Sequence, residues 1–323
     1  MKPKISTRRD FLTGAAAALG LAALPSRAAP TRQERKRTLR IAHLTDMHVT
    51  PPRKGKQDSE AGFTAALRHL SSQPIQPDFI LFGGDMIWDA LRNSKQGALA
   101  QWDIWKRVVA AETTLPWHAC IGNHDIWGWT RNDPAIKHDP LYGKGLVIEQ
   151  LGMPHRYYSM DQGDWHVIVL DSLQPNAALD VGSSAIIDDE QMAWLTADLA
   201  AVPTSRPIIV FSHAPIMSGA VFMPGNSVKQ GAFVINAASM HMDVKRLKDL
   251  FHRYPNVKAC ISGHVHLIDE VRYLGVRYCC NGAVCGGWWT GPFQEFPPAY
   301  ALIDLYADGT MENTIVPYET APV

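Results

Sequence analysis

The chain has 323 residues, 31 Lys and Arg against 31 Asp and Glu, 46% hydrophobic residues and five cysteines. That length suits one large domain or two small ones and buries about 75% of the unfolded surface, so no disulfide or metal is needed merely to hold it together. The balanced charge excludes a nucleic-acid binder driven by bulk charge, the apolar content excludes a disordered chain, and no apolar run reaches the about 18 residues of a membrane span.

Residues 1–29 read as a processing segment. Lys2, Lys4, Arg8 and Arg9 form a basic start, Phe11 to Leu24 is weakly apolar, and Ser26-Arg27-Ala28 offers a small-residue cleavage site. The core Ser6-Thr7-Arg8-Arg9-Asp10-Phe11-Leu12 resembles a twin-arginine export signal. That resemblance implies a partner in the twin-arginine machinery, export of an already folded chain, and a periplasmic or otherwise exported location. An uncleaved anchor or an ordinary secretory signal is the alternative. Cleavage after residue 28 leaves 26 basic against 30 acidic residues, a mildly acidic mature chain of formal charge −4.

The remainder, 39–323, is expected to be a single domain that alternates strands and helices. Strands are predicted at Leu39–Leu44, Phe79–Phe82, Trp117–Ile121, Pro207–Phe211 and Lys258–Ile261, where short apolar runs are closed by turn residues. Helical spacing marks 59–72, 98–111, 146–151, 188–201 and 242–254. Tyr157–Met160 and Trp165–Leu170 flank Asp161-Gln162-Gly163-Asp164 as a hairpin. Four later segments, Asp269–Tyr273, Val276–Asn281, Ala299–Tyr306 and Thr310–Val316, are expected to be antiparallel strands. Loops at 127–145, 214–241 and 282–298 are long, as functional loops often are.

Five of the predicted strands end in residues with metal-ligand chemistry: Asp46 and His48, Asp85, Asn123 with His124, His213, and His264 with His266. Carboxylate, amide oxygen and imidazole suit a hard or borderline metal, and ligands bind outside the carboxyl ends of strands in α/β sheets. Gly83, Gly84, Gly122 and Gly263 are expected to allow the sharp turns that aim these side chains. No CxxC pair, GxSxG or phosphate-binding GxxxxGK[ST] is present.

Singly, each block is a common turn. In order, Asp-x-His, Gly-Asp, Gly-Asn-His-Asp, His213 and Gly-His-Val-His resemble the calcineurin-like metallophosphoesterase family, with the motif-bearing part at 39–270. The resemblance implies an α/β fold, a four-layer α/β/β/α sandwich of two mixed sheets flanked by helices. It implies two divalent or trivalent transition-metal ions (Mn, Fe or Zn). Asp46, His48 and His266 would bind one, Asn123, His213 and His264 the other, and Asp85 both. The implied reaction is phosphodiester hydrolysis by in-line attack of a metal-bridging hydroxide, with His124 assisting the leaving group and Asp125 orienting His124. A phosphomonoesterase or phosphoprotein phosphatase is the alternative, and a non-catalytic metal-bearing binding module a further one.

Substrate clues are thinner. The expected substrate is a small phosphorylated compound; no nucleic acid is expected, because no dense Arg/Lys cluster accompanies the motifs. An exported enzyme would not meet intracellular signalling nucleotides, although such relatives commonly hydrolyse cyclic nucleotides. Trp127 and Trp129 follow the Asn-His-Asp block, and Trp288 and Trp289 lie in the 271–323 region with its Trp-rich loop. Trp127, Trp288 and Trp289 are candidates to stack a base or pack an acyl chain, or simply to cover the core edge. His43 and His118 read as structural, Cys120 and Cys260 as core residues, and Asp171 as pocket support. Cys279, Cys280 and Cys285 leave a loop disulfide open.

Overall fold

Two mixed sheets pack face to face, and a layer of helices covers each outer side. The computed structural model describes residues 35–52, 58–225 and 227–319; the export segment expected at 1–29 lies outside them. The strands of the two sheets are β1 (Arg37–Leu44), β2 (Phe79–Phe82), β3 (Trp117–Ala119), β4 (Tyr158–Gln162), β5 (Trp165–Val169) and β6 (Ile208–Phe211). They continue with β7 (Val257–Ser262), β8 (Ile268–Tyr273), β9 (Val276–Asn281), β10 (Ala299–Tyr306) and β11 (Met311–Pro317). The first sheet has the order β11-β10-β1-β2-β3 and the second β8-β9-β7-β6-β5-β4.

The helices are α1 (Ser59–Ser71), α2 (Lys95–Glu112), α3 (Lys144–Leu151), α4 (Asp189–Ala201) and α5 (Val244–His252). Side chains start three of them by accepting orphan amides: Asp58 for α1, Ser94 for α2 and Asp188 for α4. The Ser94 cap sets α2 three residues earlier than its apolar spacing indicates, because its first turn, Lys-Gln-Gly, is polar.

Three cores follow from the layers. Phe63 and Leu67 of α1, Trp102 and Trp105 of α2 and Leu146 of α3 cover Leu44 and Phe82 on the first sheet. Ile41, Leu81, Val167, Phe211 and Ile261 fill the space between sheets. Leu195 and Leu199 of α4 and Leu247 and Phe251 of α5 cover Ile168 and Val210 on the second. All five cysteines are buried and free, so no disulfide ties the Trp-rich loop.

The strand directions bring the chemistry to one edge. β1, β2 and β3 are parallel, with Leu44 opposite Phe82 and Phe82 opposite Ala119. β5, β6 and β7 are parallel too, with Val169 opposite Phe211 and Phe211 opposite Ile261. The expected antiparallel setting of Val276–Asn281 is only half right. β9 is antiparallel to β8 but parallel to β7, with Cys260 opposite Tyr278. The β8–β9 hairpin folds inward, so the loop 263–267 passes over the end of β9 on its way to the sheet edge.

Candidate metal centre

The site forms where these strands stop. Asp46 and His48 follow β1, Asp85 follows β2, Asn123 and His124 follow β3, His213 follows β6, and His264 and His266 follow β7. The backbone is strained to aim them. Asp46, His48, Asp85, His264 and His266 all have left-handed φ values, at 58°, 46°, 53°, 72° and 58°. Such conformations in non-glycine residues cost energy and persist only where the surroundings hold them. Gly122 and Gly263 serve closeness rather than turning. Gly122 is extended, at φ −94°, and a Cβ there would overlap the amide and carboxylate of Asp85. A Cβ on Gly263 would overlap Thr45 and the Asp46 carboxylate.

All seven predicted ligands converge, in two groups. Nε2 of His266 lies 3.2 Å from Nε2 of His48 and 3.3 Å from Oδ1 of Asp46. Nε2 of His213 lies 3.2 Å from Oδ1 of Asn123 and 3.1 Å from Nδ1 of His264. Between them, Oδ2 of Asp85 is 3.6 Å from Nε2 of His48 and 3.3 Å from Nε2 of His213. Ligands at about 2.0–2.2 Å from one cation stand roughly 3–3.5 Å apart, so both groups fit a cation. Asp46 Oδ1 is also a buried oxygen without a hydrogen-bond partner, which a cation would satisfy.

Outer contacts fix the imidazoles. Gly83 carbonyl accepts from Nδ1 of His213 (2.8 Å), Gly286 carbonyl from Nδ1 of His266 (2.7 Å), and Ala238 carbonyl from Nε2 of His264 (2.9 Å). Each bond leaves the other ring nitrogen for the centre. Thr45 Oγ1 and the His264 amide both donate to Oδ2 of Asp46, at 2.6 and 2.8 Å. These carbonyls carry no sequence signal, and sequence reasoning missed them.

Without cations, protons balance the carboxylates. Burial alone would raise both acids, but His266 holds Asp46 low and His213 holds Asp85 well below the usual carboxylate range. Burial opposes protonation of His213, yet Asp85 outweighs it and lifts His213 to about 9. His266 is raised as well, against burial, by Cys285 and Asp46. Burial lowers His264 to about 4, helped by His213. Bound cations would displace the two stored protons.

Other predicted residues stand differently. His124 is half-buried, its ring centroid 4.7 Å from that of His48. Its Nδ1 bonds the Trp88 carbonyl, leaving Nε2 available. Asp125 does not orient it. Oδ2 of Asp125 accepts from the amides of Asp85 and Gly122, both at 2.9 Å, and Oδ1 from that of Ile87 at 3.2 Å. Its short side chain is consumed by the backbone that carries Asp85.

Trp127 is 3% exposed and donates its indole N–H to the Asn93 carbonyl, so it is a core residue and offers no face to substrate. Trp289, 1% exposed, is likewise buried. Trp288 alone of the three candidates is half-buried, its ring 4.3 Å from that of His266 and 6.2 Å from that of His48. His43 is buried against the Phe211 ring, and His118 packs edge-on to Phe79. Asp171 is buried and paired with Lys144 (2.5 Å) and Arg156 (2.8 Å). Through Lys144 it anchors the start of α3.

The sequence pattern of the calcineurin-like phosphoesterases matches residues 39–267, and the chain belongs to that family. Over 293 residues it is 24% identical to a 3′,5′-cyclic-nucleotide phosphodiesterase from Nostoc, covering 88% of this chain and 94% of that one. It is 20% identical to the 3′,5′-cyclic adenosine monophosphate phosphodiesterase CpdA of Escherichia coli K12, covering 86% and 89%. The fold is also that of a dimetal phosphatase from Danio rerio, with a TM-score of 0.60 at 13% identity over 88% of this chain and all of that one. Among the described residues no helix is long and apolar enough to cross a membrane.

Proposed function

We infer that the protein is a dinuclear phosphodiesterase that opens a 3′,5′-cyclic nucleotide or a similarly compact phosphodiester. One observation carries this reading: two ligand groups share Asp85, and a ligand atom of His124 lies within 4.8 Å of those of His48 and Asp85. The cyclic-nucleotide phosphodiesterases named above support the substrate class, since the match spans nearly their whole length.

Asp46, His48 and His266 would hold one cation, Asn123, His213 and His264 the other, and Asp85 both. When bound, the cations supply Lewis-acid activation of water and neutralise charge on the phosphoryl oxygens. His124 supplies a proton through Nε2 to the leaving oxygen, while the Trp88 carbonyl keeps its ring oriented. Trp288 offers an apolar face for a base beside the same centre. Export by the twin-arginine route is part of the proposal and rests on Arg8, Arg9 and Phe11; with export, the substrate would be a compact diester met outside the cytoplasm, a cyclic nucleotide only where one is present there, and not an intracellular signalling pool.

The test is hydrolysis of 3′,5′-cyclic AMP, bis-p-nitrophenyl phosphate and p-nitrophenyl phosphate by residues 30–323 with Mn²⁺. Diester cleavage abolished by chelator and restored by Mn²⁺ supports the reading. Activity on the monoester alone would favour a phosphatase, and two bound metals with no activity a binding module. Fractionation of cells carrying the Arg8→Lys, Arg9→Lys double variant tests export: unchanged export sinks that part.

A further inference from the structure

The segment 283–289 is stitched to the turn that carries Asp46 and His48. Amides of Val284 and Cys285 donate to the carbonyls of Thr45 and Asp46, at 2.9 and 3.1 Å. The indole N–H of Trp289 donates to the Met47 carbonyl at 2.9 Å and reaches that of His48 at 3.3 Å. Four consecutive carbonyls of that turn are therefore met by one distant segment. The same segment orients the third member of the group, because the Gly286 carbonyl accepts from His266 Nδ1. The imidazoles of the other group are oriented from elsewhere, by the Gly83 and Ala238 carbonyls; only the backbone amide of His264, through Oδ2 of Asp46, touches this turn.

The turn needs this support. Asp46 and His48 are both left-handed, and such a backbone relaxes when its surroundings let go. Trp288 and Trp289 are left-handed too, at 52° and 60°. Trp288 lies against His266, while Trp289 is buried beneath the turn. Its seat is prepared by Gly62 of α1, where a Cβ would overlap the indole ring.

We propose that Trp289, seated on Gly62, is a positioning residue that sets cation affinity at the Asp46–His48–His266 group and leaves the Asn123–His213–His264 group unaffected. The inference rests on the two-cation reading. It assigns a selective task to a tryptophan that touches neither cation nor substrate.

The experiment is Mn²⁺ titration of the chelator-stripped chain, by calorimetry and electron paramagnetic resonance, with folding checked by circular dichroism. Trp289→Phe keeps a ring but removes the N–H; Gly62→Ala keeps the indole but displaces it. Each should weaken one of the two binding steps about 10–100-fold, the usual effect of losing an outer-shell partner. The coupled two-ion signal should give way to that of isolated ions at low Mn²⁺ and return at high Mn²⁺. In a His264→Ala chain, adding Trp289→Phe should weaken the remaining ion; in a His48→Ala chain it should not. Trp165→Phe is the control, since Trp165 is equally buried but bonds the Tyr306 carbonyl in the sheet core; both its binding steps should match wild type. A folded Trp289→Phe with both affinities unchanged, or both weakened alike, overturns the proposal. Should Trp289→Phe fail to fold, Gly62→Ala decides by the same criteria. A wild-type chain that binds only one ion overturns the two-cation reading, and this inference with it.

Discussion

Asp125 holds Asp85 by its backbone rather than by its charge: Oδ2 of Asp125 accepts the Asp85 amide at 2.9 Å. The same oxygen takes the Gly122 amide, and Oδ1 takes that of Ile87. One carboxylate thus staples the turn after β2 to the turn after β3. Burial and the nearby Asp85 raise Asp125 to about 8. Asp125→Ala would leave three buried amides without an acceptor, each costing about 1–3 kcal/mol. We expect a loss of more than about 3 kcal/mol in denaturant unfolding, with Asp125→Asn milder because one acceptor oxygen survives. Residual activity of the Asn variant should keep the wild-type pH profile. A displaced profile in a fully stable variant would restore the histidine-orienting role.

His124 is the residue on which chemistry and metal binding separate. Its Nδ1 is committed to the Trp88 carbonyl, and in the proposed reading its Nε2 serves the leaving oxygen while the seven other side chains hold the cations, so its removal should leave both cations in place. His124→Ala is expected to lower kcat by about 10²–10⁴, the usual range for a positioned proton donor. The loss should be smaller for bis-p-nitrophenyl phosphate, whose leaving group needs little protonation, than for cyclic AMP, whose leaving group is an alkoxide. Equal losses on both substrates, or loss of metal by elemental analysis, would rule out the proton-donor assignment.

The convergence of the seven candidate ligands is legible in the sequence because each block couples a local signal to a recurring place. An apolar run makes a buried strand, and the next polar residue stands at its end. What was not legible depends on partners remote in the chain. Trp289 meets Met47 across 242 positions, and no local pattern distinguishes that wedge from the neighbouring Trp288 at the rim. Adjacency in the sequence pairs Asp125 with His124, but adjacent residues on a tight turn point apart, and the acid meets backbone amides 38 and 40 residues away instead. The sequence marks the glycines as turns, whereas Gly122 and Gly263 answer to crowding, which only the assembled loops create. The segment order suggests an antiparallel β9, but an inward-folding hairpin also acquires a parallel neighbour.

The chelated chain should be most stable near pH 6.5. His213 titrates at about 9 when folded, against about 6.5 unfolded. A raised histidine stabilises fully below the unfolded value, and that contribution fades as pH climbs towards 9. His43, lowered by burial to about 3, and His264, lowered to about 4, act in the opposite sense. Buried neutral, they favour folding above about pH 6.5 and lose that contribution as pH falls towards 4 and 3. His48, well below its ordinary value through burial, adds to the same acid limb. Asp125, raised to about 8, opposes this limb but is one group against three, and it steepens the alkaline decline. Saturating Mn²⁺ should flatten the alkaline limb, since a cation holds His213 as a neutral ligand. Melting temperatures from pH 4 to 9.5, in chelator and in Mn²⁺, test this; continued stabilisation of the chelated chain from pH 6.5 to 9 contradicts it.

Trp288 should separate binding from turnover. Its indole stands beside His266 with Phe293 edge-on at 5.2 Å, partly open, and it supplies no ligand atom. Base stacking on an aromatic side chain contributes about 1–3 kcal/mol, equivalent to roughly 5–150-fold in affinity. Trp288→Ala is therefore expected to raise KM for cyclic AMP within that range while kcat changes less than about threefold. For bis-p-nitrophenyl phosphate, with its smaller rings, the rise in KM should be smaller. Metal content distinguishes this from damage to the centre, because the ring packs on His266: two cations must remain bound at the Mn²⁺ concentration of the assay. A fall in kcat with KM unchanged would mean that the indole serves the His266 ligand alone and that the base lies elsewhere.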